Sequence, residues 1–487
     1  MKTICVGLFF AACLPVAFAQ TNAPATRPLS LQDCITEALK HNFDIQYQRF
    51  EPLKSQLALS SAYAGYEPSF DLKGHRSHSD TGLPGSSINE QNNNYFDTSL
   101  GGDLPSGTTY SLDANADKSY GSGGDSSGGT VGATLTQHLL KGFWIDDTRL
   151  GISAAKNNLH LSEQVLRQKI IDTVTSVETA YYELVYAREN LQVQQEALTL
   201  SEKQLADDNV RVKVGTMAES GGTIEQDEAS VAQNRASLIN AQYTLAAAEN
   251  TLKALITDNY VQWHDVQIEP TGTLEALRQV LDVQESWNQG LKLRPDMIQA
   301  KLNVEQQGIQ LKYARNQIFP LLDLNGSYGY NGAGQEFKNT YNQYGTANRP
   351  FYSYGAELSI PLGNTAARNA YKTDKAKEQQ LLLNLKQTEQ TIMVAIDNAV
   401  KKVRSTWESV DATQKARIYA EAALKAEQGK YSVGKSTTFT VLQLQNNLTS
   451  ARSQEIRSLA DYNEALSNLA QQEGSTLERR HLNVQAK

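Results

Sequence analysis

Cysteine is almost missing from this chain. It has three, and Cys5 and Cys13 fall within the first nineteen residues, which leaves Cys34 alone in the remainder. One thiol excludes a disulfide framework or a thiolate metal centre within one chain. Cys34 lies in the apolar-periodic segment LQDCITEALK, where a small buried residue is expected. Long hydrophobic runs are also lacking. Beyond the N-terminus no apolar stretch approaches the 18 or so residues of a spanning helix, and the mean hydropathy is −0.47. Catalytic signatures are absent too: there is no Gly-x-Ser-x-Gly and no HExxH. The glycine-rich stretches at 101–102 and 121–129 lack the strand-to-helix context and the Lys-Ser/Thr of a phosphate loop. The seven histidines are scattered, and the closest pair, His75 and His78, would point to opposite faces of a strand. No enzyme, metal or cofactor is expected from these residues.

The N-terminus reads as an export signal, residues 1–19. Lys2 supplies the positive end, 4–10 an apolar core, and Ala17-Phe18-Ala19 an A-x-A site before Gln20. Phe10-Ala11-Ala12-Cys13 loosely resembles a lipidation box, but the residues that follow it are still apolar, which favours the A-x-A site. The formal net charge of −8 becomes −9 without Lys2, which argues against nucleic acid or an anionic membrane surface as partner. An exported chain without a spanning helix is either soluble or an outer-membrane protein that crosses the bilayer as strands.

What is present is length and periodicity. Over 146–214 there is no proline, and Gly151 is the one glycine before the closing Val214-Gly215. Every seventh residue from 170 is apolar: Ile170, Val177, Leu184, Leu191, Leu198, Leu205 and Val212. Ile396, Val403, Val410, Arg417, Leu424 and Tyr431 repeat the register further on, with Arg417 read as a snorkelling side chain at a helix–helix interface. Such helices run to roughly 100 Å at 1.5 Å per residue, so they must cross a space or wrap other helices. Ile224, Val231, Leu238, Leu245 and Leu252 keep the period after the first Val-Gly turn. The corresponding Leu442, Thr449, Ile456, Asn463 and Ala470 keep it poorly.

The chain also repeats itself. At one constant offset Leu39 falls on Leu291, Asp44 on Asp296, Pro68 on Pro320, Asp71 on Asp323 and Gly74 on Gly326. At a second offset Val214-Gly215 falls on Val433-Gly434. Each copy runs helix, proline, strand region, long helix, Val-Gly turn, helix, a duplicated scaffold of the kind that builds symmetric assemblies. After Pro320, Leu322, Leu324, Gly326, Tyr328 and Tyr330 alternate with Asp323, Asn325, Ser327, Gly329 and Asn331. Tyr352, Tyr354, Ala356, Leu358 and Ile360 do the same against Ser353, Gly355, Glu357 and Ser359, as do Phe70 and Leu72 against Asp71, Lys73 and His75. Tyrosine-rich apolar faces and long polar loops over 81–94 and 332–350 suit strands with lipid on one side and a wet lumen on the other. Two strands per half make four per chain, too few to close a membrane barrel alone. Tyr95–Leu104 and Thr108–Lys118 form an extra candidate hairpin around Pro105-Ser106-Gly107, and the pattern leaves open whether it joins the sheet.

In this order and twice over, the helix–proline–strand blocks, the strand-to-helix corners LTQHLLKG (135–142) and LSIPLGN (358–364), and the turns VKVGT (212–216) and YSVGK resemble the TolC family of outer-membrane efflux proteins. The resemblance runs from Leu29 to about Glu473. It implies an α+β fold: an outer-membrane β-barrel shared by a homotrimer, with four strands from each chain, continued by a long α-helical coiled-coil tunnel in the periplasm. It further implies docking with a periplasmic adaptor protein and an inner-membrane transporter. Val214, Gly215, Thr216, Val433, Gly434 and Lys435 match the helix-turn tips that close the tunnel and meet the adaptor. In the family an acidic ring near the second tip narrows the pore. Here Lys425 stands near the usual Asp, so the constriction candidates are Asp207, Asp208, Glu421 and Glu427. The implied division is a signal at 1–19, a first repeat over 20–257 with strands about 67–140 and helices 146–214 and 223–257, and an equatorial linker over 258–285. A second repeat follows over 286–473, with strands about 320–361 and helices 364–432 and 437–473, then a tail at 474–487. The rival reading is a secreted or surface-associated structural coiled-coil protein with no conduit, which leaves the two-faced strands unexplained.

Overall fold

The computed structural model describes residues 26–82, 84–85, 87–215, 222–346 and 349–482. The expected signal at 1–19 and Thr216 lie outside them. In chain order the elements are β1 (Thr26–Leu29), α1 (Leu31–His41), α2 (Phe43–Gln48), α3 (Phe50–Tyr63), β2 (Ser69–Thr81), β3 (Asn89–Leu104), β4 (Thr108–Gly121) and β5 (Ser126–His138). Next come α4 (Asp147–Lys213), α5 (Thr223–Ile256), α6 (Tyr260–Trp263), β6 (Gln267–Pro270), α7 (Val283–Leu293), α8 (Pro295–Asn316) and β7 (Leu321–Gly334). The chain ends with α9 (Phe337–Thr346), β8 (Pro350–Ser359), α10 (Thr365–Ser432), α11 (Thr438–Glu473) and α12 (Thr476–Arg479). They form two compact units. One comprises residues up to Asn42, Val177–Glu275 and Thr413–Ala460; the other comprises Phe43–Ser176, Ala276–Ala412 and the rest from Asp461.

The first unit is helical apart from the two-stranded parallel ribbon β1–β6, in which Arg27 pairs with Ile268. Ser30 caps α1 with a reciprocal box: its hydroxyl accepts from the Asp33 amide while Asp33 accepts from the Ser30 amide. That geometry delivers Cys34, Ile35 and Ala38 to the interior as one stripe. Burial pushes the Cys34 thiol up to about 12, so it is an inert core group. Tyr181 of α4 ties the ribbon down, its hydroxyl donating to the Leu29 carbonyl and accepting from the Gly272 amide.

The long helices are continuous, with 67 residues in α4 and 68 in α10. The single heptad position read along α4 holds only in part. Ile170, Val177 and Leu184 are buried, but beyond them burial passes to Val193, Ala197, Ser201 and Asp208. A helix of 3.6 residues per turn drifts from a strict seven-residue repeat, so the facing residue changes along its length. For α11 the more fully buried series starts one residue before the expected one. The buried series is Val441, Leu448, Tyr462 and Leu469, with Glu455 at the remaining seventh position. Val441 and Leu448 pack with Leu424 and Tyr431 of α10. The two polar seam residues answer each other, since Arg417 Nε lies 2.5 Å from Glu455 Oε2. Leu442 and Ala470 of the expected series are buried as well, so the α11 interface takes in both neighbouring positions.

The second unit holds a six-stranded sheet of order β2-β3-β4-β5-β7-β8, every neighbour antiparallel. This corrects the count of four strands per chain: β3 and β4, which contain the extra hairpin, are interior strands of the sheet. The pairing fixes both faces, because directly opposed residues share a side. Pairs Leu72↔Thr98, Phe96↔Ala116, Leu112↔Ala133, Leu135↔Gly326 and Leu322↔Leu358 lie on one face. Pairs Asp71↔Ser99, Asp97↔Asn115, Asp113↔Gly132, His138↔Asp323 and Ser327↔Ser353 lie on the other. The expected alternation therefore extends across all six strands. Within the long polar loop expected over 332–350, α9 folds over one end of the apolar face. Its Phe337 ring meets Phe96 edge-on at 5.8 Å, and its Thr340 hydroxyl donates to Ser127.

Candidate functional site

The paired helix turns and the helix ends beside them all belong to the first unit. At the second turn, Gly434 takes φ +74° and closes a Schellman motif: its amide donates to the Tyr431 carbonyl and the Lys435 amide to the Lys430 carbonyl. At the first, Gly215 takes φ +73° and its amide donates to the Val212 carbonyl. An added Cβ would meet nothing within 4 Å at either glycine, so the glycines serve backbone conformation and not close packing. Val214 and Val433 are 65% and 66% exposed, and Lys435 is exposed. Two apolar side chains held out to solvent by tight turns are not there for the core of this chain.

One turn back along α4 the structure separates the two acidic candidates. Asp207 is exposed, whereas Asp208 is fully buried. Asp208 accepts from the Tyr431 hydroxyl at 2.6 Å, from the Thr438 hydroxyl at 3.1 Å and from Gln204 at 2.8 Å. The Arg211 guanidinium lies 3.9 Å from the carboxylate and 4.4 Å from the centre of the Tyr431 ring. One carboxylate thus fastens α4 to both helices flanking the second turn. Burial and the bond to Asp208 push the Tyr431 hydroxyl up to about 12, so it remains a donor.

Asp227 of α5 completes the cluster. It is also fully buried, and neither of its oxygens meets a donor. Burial, then the charge of Asp208, then a hydrogen bond to Asp208 raise its carboxyl from 3.8 to about 7. The arrangement is a carboxyl pair sharing one proton, which Asp227 holds toward Asp208, the member of the pair supplied with donors by Tyr431, Thr438 and Gln204.

Glu427 stands beside the second turn and accepts from Lys430 at 2.8 Å and Ser436 at 2.5 Å. Those bonds lower its pKa. Glu421 is exposed and reaches Arg417 at 3.4 Å. Hence Asp208 joins the second turn's residues, Glu427 braces that turn, and Asp207 and Glu421 stay on the surface. Sequence reasoning passed over Asp227. Its signal was available, because it falls three residues after Ile224 and four before Val231, a second core position of that heptad. Among the described residues no cluster of metal-ligating side chains occurs, and no helix is long and apolar enough to cross a membrane.

A model of the outer membrane efflux protein family matches residues 34–257 and 287–475, and the chain belongs to that family. Its fold is similar to that of the Campylobacter jejuni CmeC outer membrane channel, with TM-score 0.67 and 16% identity over 92% of this chain and 86% of that one. It is similar to the outer membrane protein VceC of Vibrio cholerae, with TM-score 0.67 and 19% identity over 91% and 96% of the two chains. It is also similar to the open state of the Neisseria gonorrhoeae MtrE outer membrane channel, with TM-score 0.65 and 18% identity over 92% and 89%. No curated protein matches the chain in sequence. The family and these neighbours are outer-membrane efflux proteins and channels, which places this protein in the outer membrane in an efflux role.

Proposed function

We propose that this chain is one third of an exit duct: a homotrimer whose sheets close one barrel in the outer membrane and whose helices form a tunnel in the periplasm. The observation that carries the reading is the sheet. Toward the ends that lead to the helices the strands send apolar side chains to one face and polar ones to the other. Toward the opposite ends of β2, β3 and β4, Arg76, His78, Asp80, Glu90 and Lys118 take over the apolar face. The outer strands β2 and β8 run in opposite directions. Unpaired strand edges cannot stay in hydrocarbon. Antiparallel edges let β8 of one copy pair with β2 of the next until the ring closes. The exposed Phe70, Leu72, Tyr352, Tyr354 and Leu358 then meet lipid.

The tips supply the other end of the duct. α4 and α10 each run unbroken from a strand to a Val-Gly turn. Val214, Gly215, Thr216, Val433, Gly434 and Lys435, present in three copies, offer a ring of identical turns to a periplasmic adaptor, behind which an inner-membrane transporter supplies cargo. Asp208, bound to Tyr431 and Thr438, holds the two turns of a chain together and so governs how far the tip opens. Asp207 and Glu421 are the acidic side chains left to line the passage. Fractionation and native gels test the whole reading. A heat-modifiable trimer in outer-membrane fractions is expected; a monodisperse monomer in mild detergent that keeps its full strand content would overturn it.

A further inference from the structure

The β3–β4 hairpin is hydrogen-bonded on both flanks. β3 pairs with β2 along the whole of Ser69–Thr81, and β4 pairs with β5 from Thr108 to Ser119. Its inner turn is anchored as well: the His138 amide donates to the Gly107 carbonyl, and Gln137 donates to the Ser106 carbonyl. A hairpin hanging outside a barrel would be held along one edge at most. Over 96–104 and 108–117 it also obeys the sheet's facing rule, with Phe96, Leu100, Leu112, Ala114 and Ala116 on the apolar face and Asp97, Asp103, Asp113 and Asp117 on the polar face. Glu90, Asn92, Asn94 and Lys118 continue the first face toward the outer turns. Two strands are the smallest insertion that leaves every other strand direction unchanged, so β2 and β8 remain antiparallel edges.

We infer that the hairpin is barrel wall, so that three chains close eighteen strands and not twelve around a wide, anionic lumen that favours bulky cationic cargo. The inference rests on the trimeric-duct reading. With strands about 4.8 Å apart and tilted by about 40°, the backbone radius is about 12 Å for twelve strands and about 18 Å for eighteen. Allowing about 5 Å for inward side chains, half the usual spacing of packed sheets, the open cross-section grows about threefold. The polar face carries Asp71, Asp97, Asp103, Asp113, Asp117, Asp323 and Glu357 against Lys73 as its one lysine or arginine. The histidines on this face are His75 and His138, and the His138 ring lies 2.7 Å from Asp323. The hairpin supplies four of those carboxylates and no fixed positive charge on that face. Their summed field concentrates cations in the lumen.

Electron cryo-microscopy of the detergent-purified full-length protein tests the geometry. Eighteen strands with β3 and β4 in the wall are expected. A closed trimeric barrel of twelve strands with the hairpin outside would overturn the inference alone, whereas absence of a trimer would overturn the duct reading beneath it. Planar-bilayer recordings in a potassium chloride gradient test the charge. Converting Asp97, Asp103, Asp113 and Asp117 together to Asn should lower the cation-to-anion permeability ratio at least twofold with the trimer intact. An unchanged ratio would overturn the claim that these carboxylates set the lumen's selectivity.

Discussion

Replacing Asp227 by asparagine separates a buried shared proton from mere close packing. Below pH 3.8 the Asp227 carboxyl is protonated whether the helices are packed or open, and it contributes no pH dependence. Between 3.8 and about 7 the packed state keeps the proton while the open state loses it, so packing weakens by about 1.4 kcal/mol per pH unit. Above 7 the cost levels off at about 4 kcal/mol, because both states are then ionised and the packed state holds two carboxylates together. Asparagine has the same shape, never ionises, and donates to Asp208 as the protonated acid does. Asp227→Asn should therefore strengthen packing by about 2 kcal/mol at pH 5 and about 4 kcal/mol at pH 8. A large detergent-solubilised oligomer has no well-defined two-state unfolding energy. The assay is amide hydrogen exchange around 204–214 and 223–231, corrected for intrinsic rates, from pH 5 to 8. Wild-type protection should fall as pH rises and the variant's should stay nearly flat, so that their ratio grows by about two orders of magnitude. A constant ratio would refute the shared proton, and a variant that loses protection at every pH would show that Asp227 is needed as an anion.

The facing assignment predicts that Tyr354→Arg or Leu358→Arg loses assembly, at about 2–4 kcal/mol near the bilayer midplane, while Ser353→Arg and Ser359→Arg still form heat-modifiable trimers with altered conductance; equal assembly of both sets on native gels would refute it. Because Gly215 and Gly434 have open space around them, alanine there should cost only the left-handed strain of about 1–2 kcal/mol, leaving the trimer intact. Leucine at both positions should abolish export in a dye-accumulation assay with the barrel unchanged, and normal export would reduce the turns to a structural role. Arg417→Met should loosen α10 on α11 by about 1–2 kcal/mol by stranding half-buried Glu455, and adding Glu455→Met should restore most of it. Exchange protection over 413–421 and 451–459 reads both changes, and no recovery in the double variant would mean that the pair is not what couples the helices.

Most of the scaffold was legible because it repeats and because strands and long helices differ in period. Pro68 and Pro320 announced the strand regions, and Tyr352 to Ile360 announced the facing of β8. The contents of the interior were harder to read. The expected α11 seam starts at Leu442 and the more fully buried one at Val441, because apolar residues occupy both neighbouring positions, and the second series contains Glu455. An acidic side chain in a heptad signals weakness only if its partner is unknown, and here the partner is Arg417. The same holds for the tips. Asp207 and Asp208 are adjacent identical residues, and nothing local distinguishes the exposed one from the one buried under Tyr431, Thr438 and Gln204. That difference is set by α10 and α11, more than two hundred residues downstream.

The strand count failed for a reason built into the duplication itself. Comparing the halves highlights what both copies share, and β3–β4 exists in only one of them. An inserted pair of strands leaves no trace in the flanking pattern, because it restores strand direction and returns the side-chain parity to phase at β5. A single inserted strand would have reversed β5 relative to β2 and spoiled the match of the strand-to-helix corners at 135–142 and 358–364. The correspondence of those corners therefore constrains any insertion between β2 and β5 to an even number of strands. It does not tell zero from two. Only pairing partners decide that, and the register of β3 on β2 and β4 on β5 does so. The consequence reaches past topology. A wall that can grow two strands at a time without disturbing its helices gives this fold a way to change the bore of its membrane end while keeping its tips, and so to accept different cargo through the same docking turns.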